Sequence, residues 1–175
     1  MKVKDLMTTE SLKTCSPETK LHKVAQLMDE GNCGVLPVLN KQKKVIGMIT
    51  DRDLALALSR NESEVIAKMK VEEIMSDDVV SVYSDDSLAD ALKEMRINKI
   101  GRLAVVNTDG KFKGILSVHN LLAQMKTNSK LEIGQQKSQD ESILKTIIAL
   151  SERYDQKLKT KKENNKKVLE AEEVW

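Results

Sequence analysis

Aromatic side chains are nearly missing from this chain of 175 residues, which holds one Phe, one Trp and two Tyr. Any core must therefore be aliphatic, and the stacking platforms that hold single-stranded nucleic acid are not available. Charge is close to balanced: 29 Lys and Arg against 27 Asp and Glu leave a formal net charge of +2, too little to argue for a nucleic-acid partner. The two cysteines, Cys15 and Cys33, lack metal-ligand spacing and are too few to staple a fold. They read as small buried groups in a reducing compartment. Neither a P-loop nor a Gly-x-Gly-x-x-Gly turn occurs, and His22 and His119 stand far apart. No nucleophile with a supporting base is evident, so catalysis is not expected. No apolar run reaches the ~20 residues that cross a bilayer. The charged opening Met1-Lys2-Val3-Lys4-Asp5 is unlike a signal peptide, and the expectation is a soluble, cytoplasmic protein.

What the chain does have is a duplication. Val3-Lys4-Asp5-Leu6-Met7 returns as Val71-Glu72-Glu73-Ile74-Met75, and Gly47 to Leu54 returns as Gly114 to Leu121. Identical pairs run between them: Leu21/Leu88, Met28/Met95, Gly34/Gly101, Leu36/Leu103, Val38/Val105, Asn40/Asn107 and Lys44/Lys111. Two copies imply pseudo-two-fold symmetry, with a cleft between them where a ligand would lie.

Each copy alternates in period. A short extended stretch (Leu12 to Cys15, then Val79 to Tyr83) precedes helix-start signals at Pro17 and at Ser84-Asp85-Asp86. A 3.6-residue apolar period follows through Leu21, Val24, Ala25, Leu27 and Met28, and again through Leu88, Ala91, Leu92 and Met95. Two β-type runs come next, Val35 to Leu39 with Val45 to Thr50, then Leu103 to Val106 with Phe112 to Leu116. Gly110 suits a positive-φ position in the second turn. A closing helix is expected from Asp51 to about Ser59 and from Val118 to about Lys126. The fold class is thus α/β (α+β), two β-α-β-β-α repeats over residues 1–60 and 71–126, with a helical-looking linker at 61–70.

From Thr127 the composition shifts. Ser138-Gln139-Asp140-Glu141 has the form of a capping box, and Ile143, Ile147, Leu150, Tyr154 and Leu158 make one helical stripe. Residues 127–175 form a helical tail whose stripe suits the protein's own body, a second copy, or a protein partner docked over 138–158.

The repeated unit, its Gly34-Val35-Leu36-Pro37-Val38 strand and its Gly47-Met48-Ile49-Thr50-Asp51-Arg52-Asp53 segment resemble cystathionine β-synthase (CBS) domains. Two in tandem resemble a CBS pair, or Bateman module, over about residues 1 to 126. The resemblance implies a regulatory module that binds AMP, ADP, ATP or S-adenosylmethionine between its sheets, with no obligatory cofactor, and that commonly forms a homodimer. The alternative is a protein-interaction scaffold whose nucleotide sites are vestigial.

Thr50 ends a strand and begins a helix, where free N–H groups and the helix dipole favour an anion. Its hydroxyl can donate to a phosphate, and Asp53, three residues on, can accept from ribose hydroxyls. Those are the roles the resemblance gives this pair. The same two residues also fit a ligand-free capping box. In the second copy Ser117 keeps the hydroxyl, Asn120 replaces the carboxylate and Ala104 replaces Pro37, so the sites should be unequal. Arg52 and His119 are equivalent potential cations in a first helical turn, where an anion would offset the unfavourable dipole. The resemblance adds Arg102 as a further phosphate contact. It also places the adenine against backbone around Thr14, Cys15 and Ser81, and against Val35 to Pro37.

Overall fold

The computed structural model describes residues 1–122 and 141–150. The first repeat contains helix α1 (Leu21–Glu30), strands β1 (Val35–Leu39) and β2 (Val45–Thr50), and helix α2 (Asp51–Arg60). A one-turn helix α3 (Ser63–Ile66) occupies the linker. The second repeat contains β3 (Ser81–Tyr83), α4 (Leu88–Asn98), β4 (Arg102–Val106) and β5 (Phe112–Ser117). Helix α5 begins at 118 and is described to 122, and helix α6 is described over 141–150.

Both hairpins obey local chemistry. β1 pairs antiparallel with β2, and β4 with β5, each with a register shift at the equivalent place, Val38/Leu39 and Val105/Val106. The turns are held by Asn40 and Asn107, whose side-chain oxygens accept from the N–H of Lys44 (2.9 Å) and Lys111 (2.8 Å). Gly110 takes a φ of 75°, and its counterpart Lys43 a φ of 61°. The tips meet each other, since Phe112 N–H donates to the Lys43 carbonyl at 3.0 Å and Lys44 bridges its own equivalent, Lys111. The first extended stretch is shorter than its sequence suggests. In the second repeat it is strand β3, parallel to β4, whereas in the first it shrinks to one bridge between Cys15 and Val38.

Helix α1 starts at Leu21, four residues after Pro17, because the chain first makes a turn in which Thr19 N–H donates to the Ser16 carbonyl. Leu21, Val24 and Met28 face inward, while Ala25 falls off the stripe and is exposed.

The leading segments change places. A 3-10 turn at Val3–Asp5 packs on the second repeat, and its equivalent at Val71–Glu73 packs on the first. The bonds repeat with the symmetry. Val3 N–H donates to Asp86 O (3.0 Å) and Val71 N–H to Thr19 O (2.9 Å), while Thr8 pairs with Ile115 and Ser76 with Met48. Val3 therefore joins Val82, Leu92, Met95, Leu103 and Leu116 in one core, and Val71 joins Leu21, Val24, Leu36, Val38 and Ile49 in the other. Both valines are fully buried, and each exchange contributes about 1.5–3 kcal/mol of apolar burial. Lys4 lies 2.8 Å from Asp85 and holds that carboxyl below its usual range, though the pair is exposed and adds little.

Helix α6 lies on the second repeat. Ile143 is buried in its core, Ile147 packs beside it, and Arg96 of α4 donates to the Ser142 (3.2 Å) and Thr146 (3.4 Å) hydroxyls. The described part of the tail stripe thus meets the protein's own body. Ser138, Tyr154 and Leu158 lie outside the described residues.

Candidate functional site

Thr50 closes β2 and is the N-cap of α2. Its backbone N–H and its hydroxyl both donate to Asp53 Oδ2, at 2.9 and 2.7 Å, and Asp53 N–H donates back to the hydroxyl at 3.3 Å. The capping box is complete, which is worth about 1 kcal/mol. Asp53 Oδ1 makes no hydrogen bond among the described residues, so one carboxylate oxygen of this half-buried group remains available as an acceptor.

The second repeat builds the same box from an amide. Ser117 N–H and hydroxyl donate to Asn120 Oδ1 at 2.9 and 2.6 Å, and Asn120 N–H donates to the Ser117 hydroxyl at 3.2 Å. Both copies therefore satisfy the ligand-free reading of the motif in full. Their outer atoms differ: Asp53 offers a carboxylate oxygen, whereas Asn120 Nδ2 donates to the Thr8 hydroxyl at 3.0 Å. Thr8 is a neighbour that the motif alone does not reveal. The available signal was the repeated hydroxyl, Thr8 and Ser76, one residue after the matched methionines.

The helix start in the first repeat is already furnished with an anion. Asp51 Oδ1 accepts from Arg52 N–H at 2.7 Å, and Asp51 N–H donates to Gly34 O at 3.2 Å. The Asp51 carboxylate also lies so close over Gly34 that a Cβ there would fall 2.6 Å from Oδ2. An incoming phosphate would find that amide taken, which shifts its recognition to side chains. Val118 stands where the second repeat would need the same carboxylate, beside His119. The Arg52, His119 and Arg102 side chains are exposed.

The remaining predicted residues gather within their own repeats. Val35 is directly across from Thr50 in the β1–β2 register and Pro37 is across from Met48. Cys15 N–H donates to Pro37 O at 3.1 Å, with Thr14 just before it. In the second repeat Arg102 is across from Ser117, and Ser81 pairs with Ala104. A surface hollow of about 270 Å³ beside the linker is lined by Glu64, Val65, Lys68, Met69 and Glu73, none of them a predicted site residue.

Cys15 belongs to the first core and is 7% exposed. Burial pushes its thiol up to about 11, so only about a thousandth is thiolate at pH 8. A disulfide reagent at pH 8 should label one thiol per native chain, the half-exposed Cys33, and both after unfolding. Equal labelling rates for the two would show that Cys15 faces an open pocket.

Two β-hairpins, each closed by a helix behind a hydroxyl-x-x-Asp/Asn box and exchanging their leading segments, define a pseudo-symmetric paired module. A family model for the CBS domain matches residues 3–60 and 71–127, and the chain belongs to that family as a tandem pair. It is 35% identical over 126 residues to the CBS domain-containing protein YhcV of Bacillus subtilis, spanning 72% of this chain and 86% of that one. Among solved structures it is similar to a CBS domain-containing protein from Bacillus anthracis, with 28% identity and a TM-score of 0.65 over 73% of this chain and 94% of that one. It is also similar to CBSX2, a CBS-pair protein of Arabidopsis thaliana solved in complex with AMP. That likeness is 30% in identity with a TM-score of 0.63, over 73% of this chain and 98% of the other.

Proposed function

We propose that this CBS pair is a non-catalytic regulatory module that binds an adenine nucleotide or a related adenosyl compound at the Thr50–Asp53 box. The observation that carries the reading is Asp53 Oδ1, unpaired among the described residues, an acceptor placed beside a strand-to-helix junction with Val35 directly opposite Thr50. A ribose diol has two O–H donors that such a carboxylate takes up, and charge assistance makes those bonds roughly twice as strong as neutral ones. The AMP-bound relative, CBSX2, supports adenosine monophosphate as the first ligand to try. Bound ligand acts as a regulator by favouring one arrangement of subunits or of the C-terminal helix over another, to the extent of its differential affinity for the two.

Calorimetric titration with AMP, ADP, ATP and S-adenosylmethionine tests the reading, and saturable heat with at least one of them is expected. Silence with all four would overturn it and leave the scaffold alternative, for which Leu144 of α6 is an exposed apolar position. Phosphate recognition falls to Arg52 and Arg102. Arg52→Ala should weaken AMP about tenfold, the scale of one charge-assisted bond, and leave adenosine within about twofold. Equal losses for the two would remove Arg52 from the phosphate site.

A further inference from the structure

The two boxes are chemically matched at their inner atoms and opposed at their outer ones. In each, one oxygen of residue 53 or 120 takes both donors of the preceding hydroxyl residue, with distances that agree within 0.1 Å (2.9 and 2.7 Å against 2.9 and 2.6 Å). Because the Ser117 backbone N–H can only donate, the atom facing it must be the Asn120 oxygen, and the amide nitrogen points outward. That nitrogen meets the Thr8 hydroxyl at 3.0 Å. Thr8 is itself fixed, since its N–H donates to Ile115 O at 2.9 Å and its carbonyl accepts from Ile115 N–H at 3.1 Å. In the first repeat the equivalent of Thr8 is Ser76, which pairs with Met48 in the same way. There, no bond joins Ser76 to Asp53 among the described residues.

Resting on the adenosyl-binding reading above, we propose that the Thr8–Asn120 contact is a clasp that closes the second site to nucleosides, so that each chain takes one ligand, at Asp53. The physical reason is the direction of the hydrogen bonds. A ribose diol approaching Asp53 finds a charged oxygen for its O–H protons; approaching Asn120 its oxygens can accept only the one amide hydrogen that Thr8 leaves, and its own protons find no acceptor. To gain an acceptor the amide would have to turn over. That would leave the Ser117 N–H and hydroxyl facing an –NH₂ in place of their acceptor, and an unmade bond of this kind costs about 1–3 kcal/mol. The clasp also ties the leading segment to helix α5, a side-chain link whose Ser76–Asp53 equivalent does not form in the first repeat among the described residues. The same residue pair thereby converts a binding box into a fastening.

Equilibrium dialysis with labelled AMP and with labelled S-adenosylmethionine tests this on the full chain. Four proteins are compared: wild type, Asp53→Ala, the double variant Thr8→Val/Asn120→Asp, and that pair combined with Asp53→Ala. Asn120→Asp restores the outer oxygen while keeping the box, and Thr8→Val removes the hydroxyl without changing the volume. Wild type should saturate at one ligand per chain, Asp53→Ala at none, the double variant at two, and the triple variant at one. Two equal ligands on wild type would overturn the clasp while leaving the adenosyl reading intact, as would a double variant that stays at one. Binding of neither probe by wild type or double variant would bring down the adenosyl reading, and the clasp with it. As a ligand-independent readout, Thr8→Val should speed amide exchange at Ile115, whose N–H donates to the residue 8 carbonyl, severalfold and leave Ser76 and Met48 unchanged. No change at Ile115 would overturn the fastening.

Discussion

Gly114→Ala is expected to lower the melting temperature by about 5–10 °C, and Gly47→Ala by less. An overpacking cost of about 1–3 kcal/mol sets that scale in a chain of this size. A Cβ on Gly114 would lie 2.5 Å from the Thr8 carbonyl oxygen, and one on Gly47 would lie 2.6 Å from the Met75 sulfur and 3.1 Å from the Ser76 carbonyl oxygen. The carbonyls belong to backbone that is paired to the strand edge by two hydrogen bonds in each repeat. Neither can move without breaking the pairing that holds the exchanged segment. The Met75 thioether is flexible and gives way more easily, so the Gly47 variant should be the milder of the two. Gly101→Ala is the control. Its added Cβ would meet the Leu150 and Val118 side chains at 3.8 Å, ordinary contact, and a shift below about 2 °C is expected. Thermal unfolding by circular dichroism decides among them, and equal shifts at all three positions would show that the close approach is not the cause.

Asp53→Ala should abolish measurable AMP binding while lowering stability by about 1 kcal/mol, the worth of the capping box alone. Asp53→Asn separates those roles. The Ser117–Asn120 box shows that an amide oxygen takes both donors at 2.9 and 2.6 Å, so the asparagine variant should melt within about 2 °C of wild type. Its outer atom then donates instead of accepting, and AMP should bind about tenfold more weakly or worse, the equivalent of at least ~1.4 kcal/mol. Calorimetry on the two variants reads both quantities. Wild-type affinity in the asparagine variant would show that the carboxylate's charge and its free oxygen play no part in recognition.

Features whose causes are local were legible in the residues. β1 and β2 have the expected bounds, and β4 and β5 extend theirs by one residue each. Short apolar runs between polar turns leave little choice. Helix α2 begins at Asp51 because Thr50 and Asp53 supply a box at the right spacing. The positive φ at Gly110 follows from its turn. Helix α1 was harder, since Pro17 is a start signal that the Ser16–Thr19 turn pre-empts, and the apolar period itself starts at Leu21. What the residues could not convey was the destination of Val3 to Thr8. Those residues have no period of their own, and their partners near Ser84 to Ser87 and Ile115 are distant in sequence. The duplication made the segment visible as a repeated string without saying which repeat it would join. The candidate site was readable to the same degree. Thr50 and Asp53 announced themselves by spacing, whereas Thr8 reaches Asn120 across 112 positions.

The exchange of leading segments also governs the order in which this chain can become a protein. The first core needs Val71, which emerges from the ribosome only after the whole first repeat and its linker have been made. The second core needs Val3, which is made ahead of either hairpin. The first core can close once residues 71–75 have been made, whereas the second joins Val3 to partners far along the chain, and long loop closures of this kind slow folding more than they weaken the product. Between those two events the first repeat is already closed while the Val3 segment stands without its partner, so the two halves mature in turn.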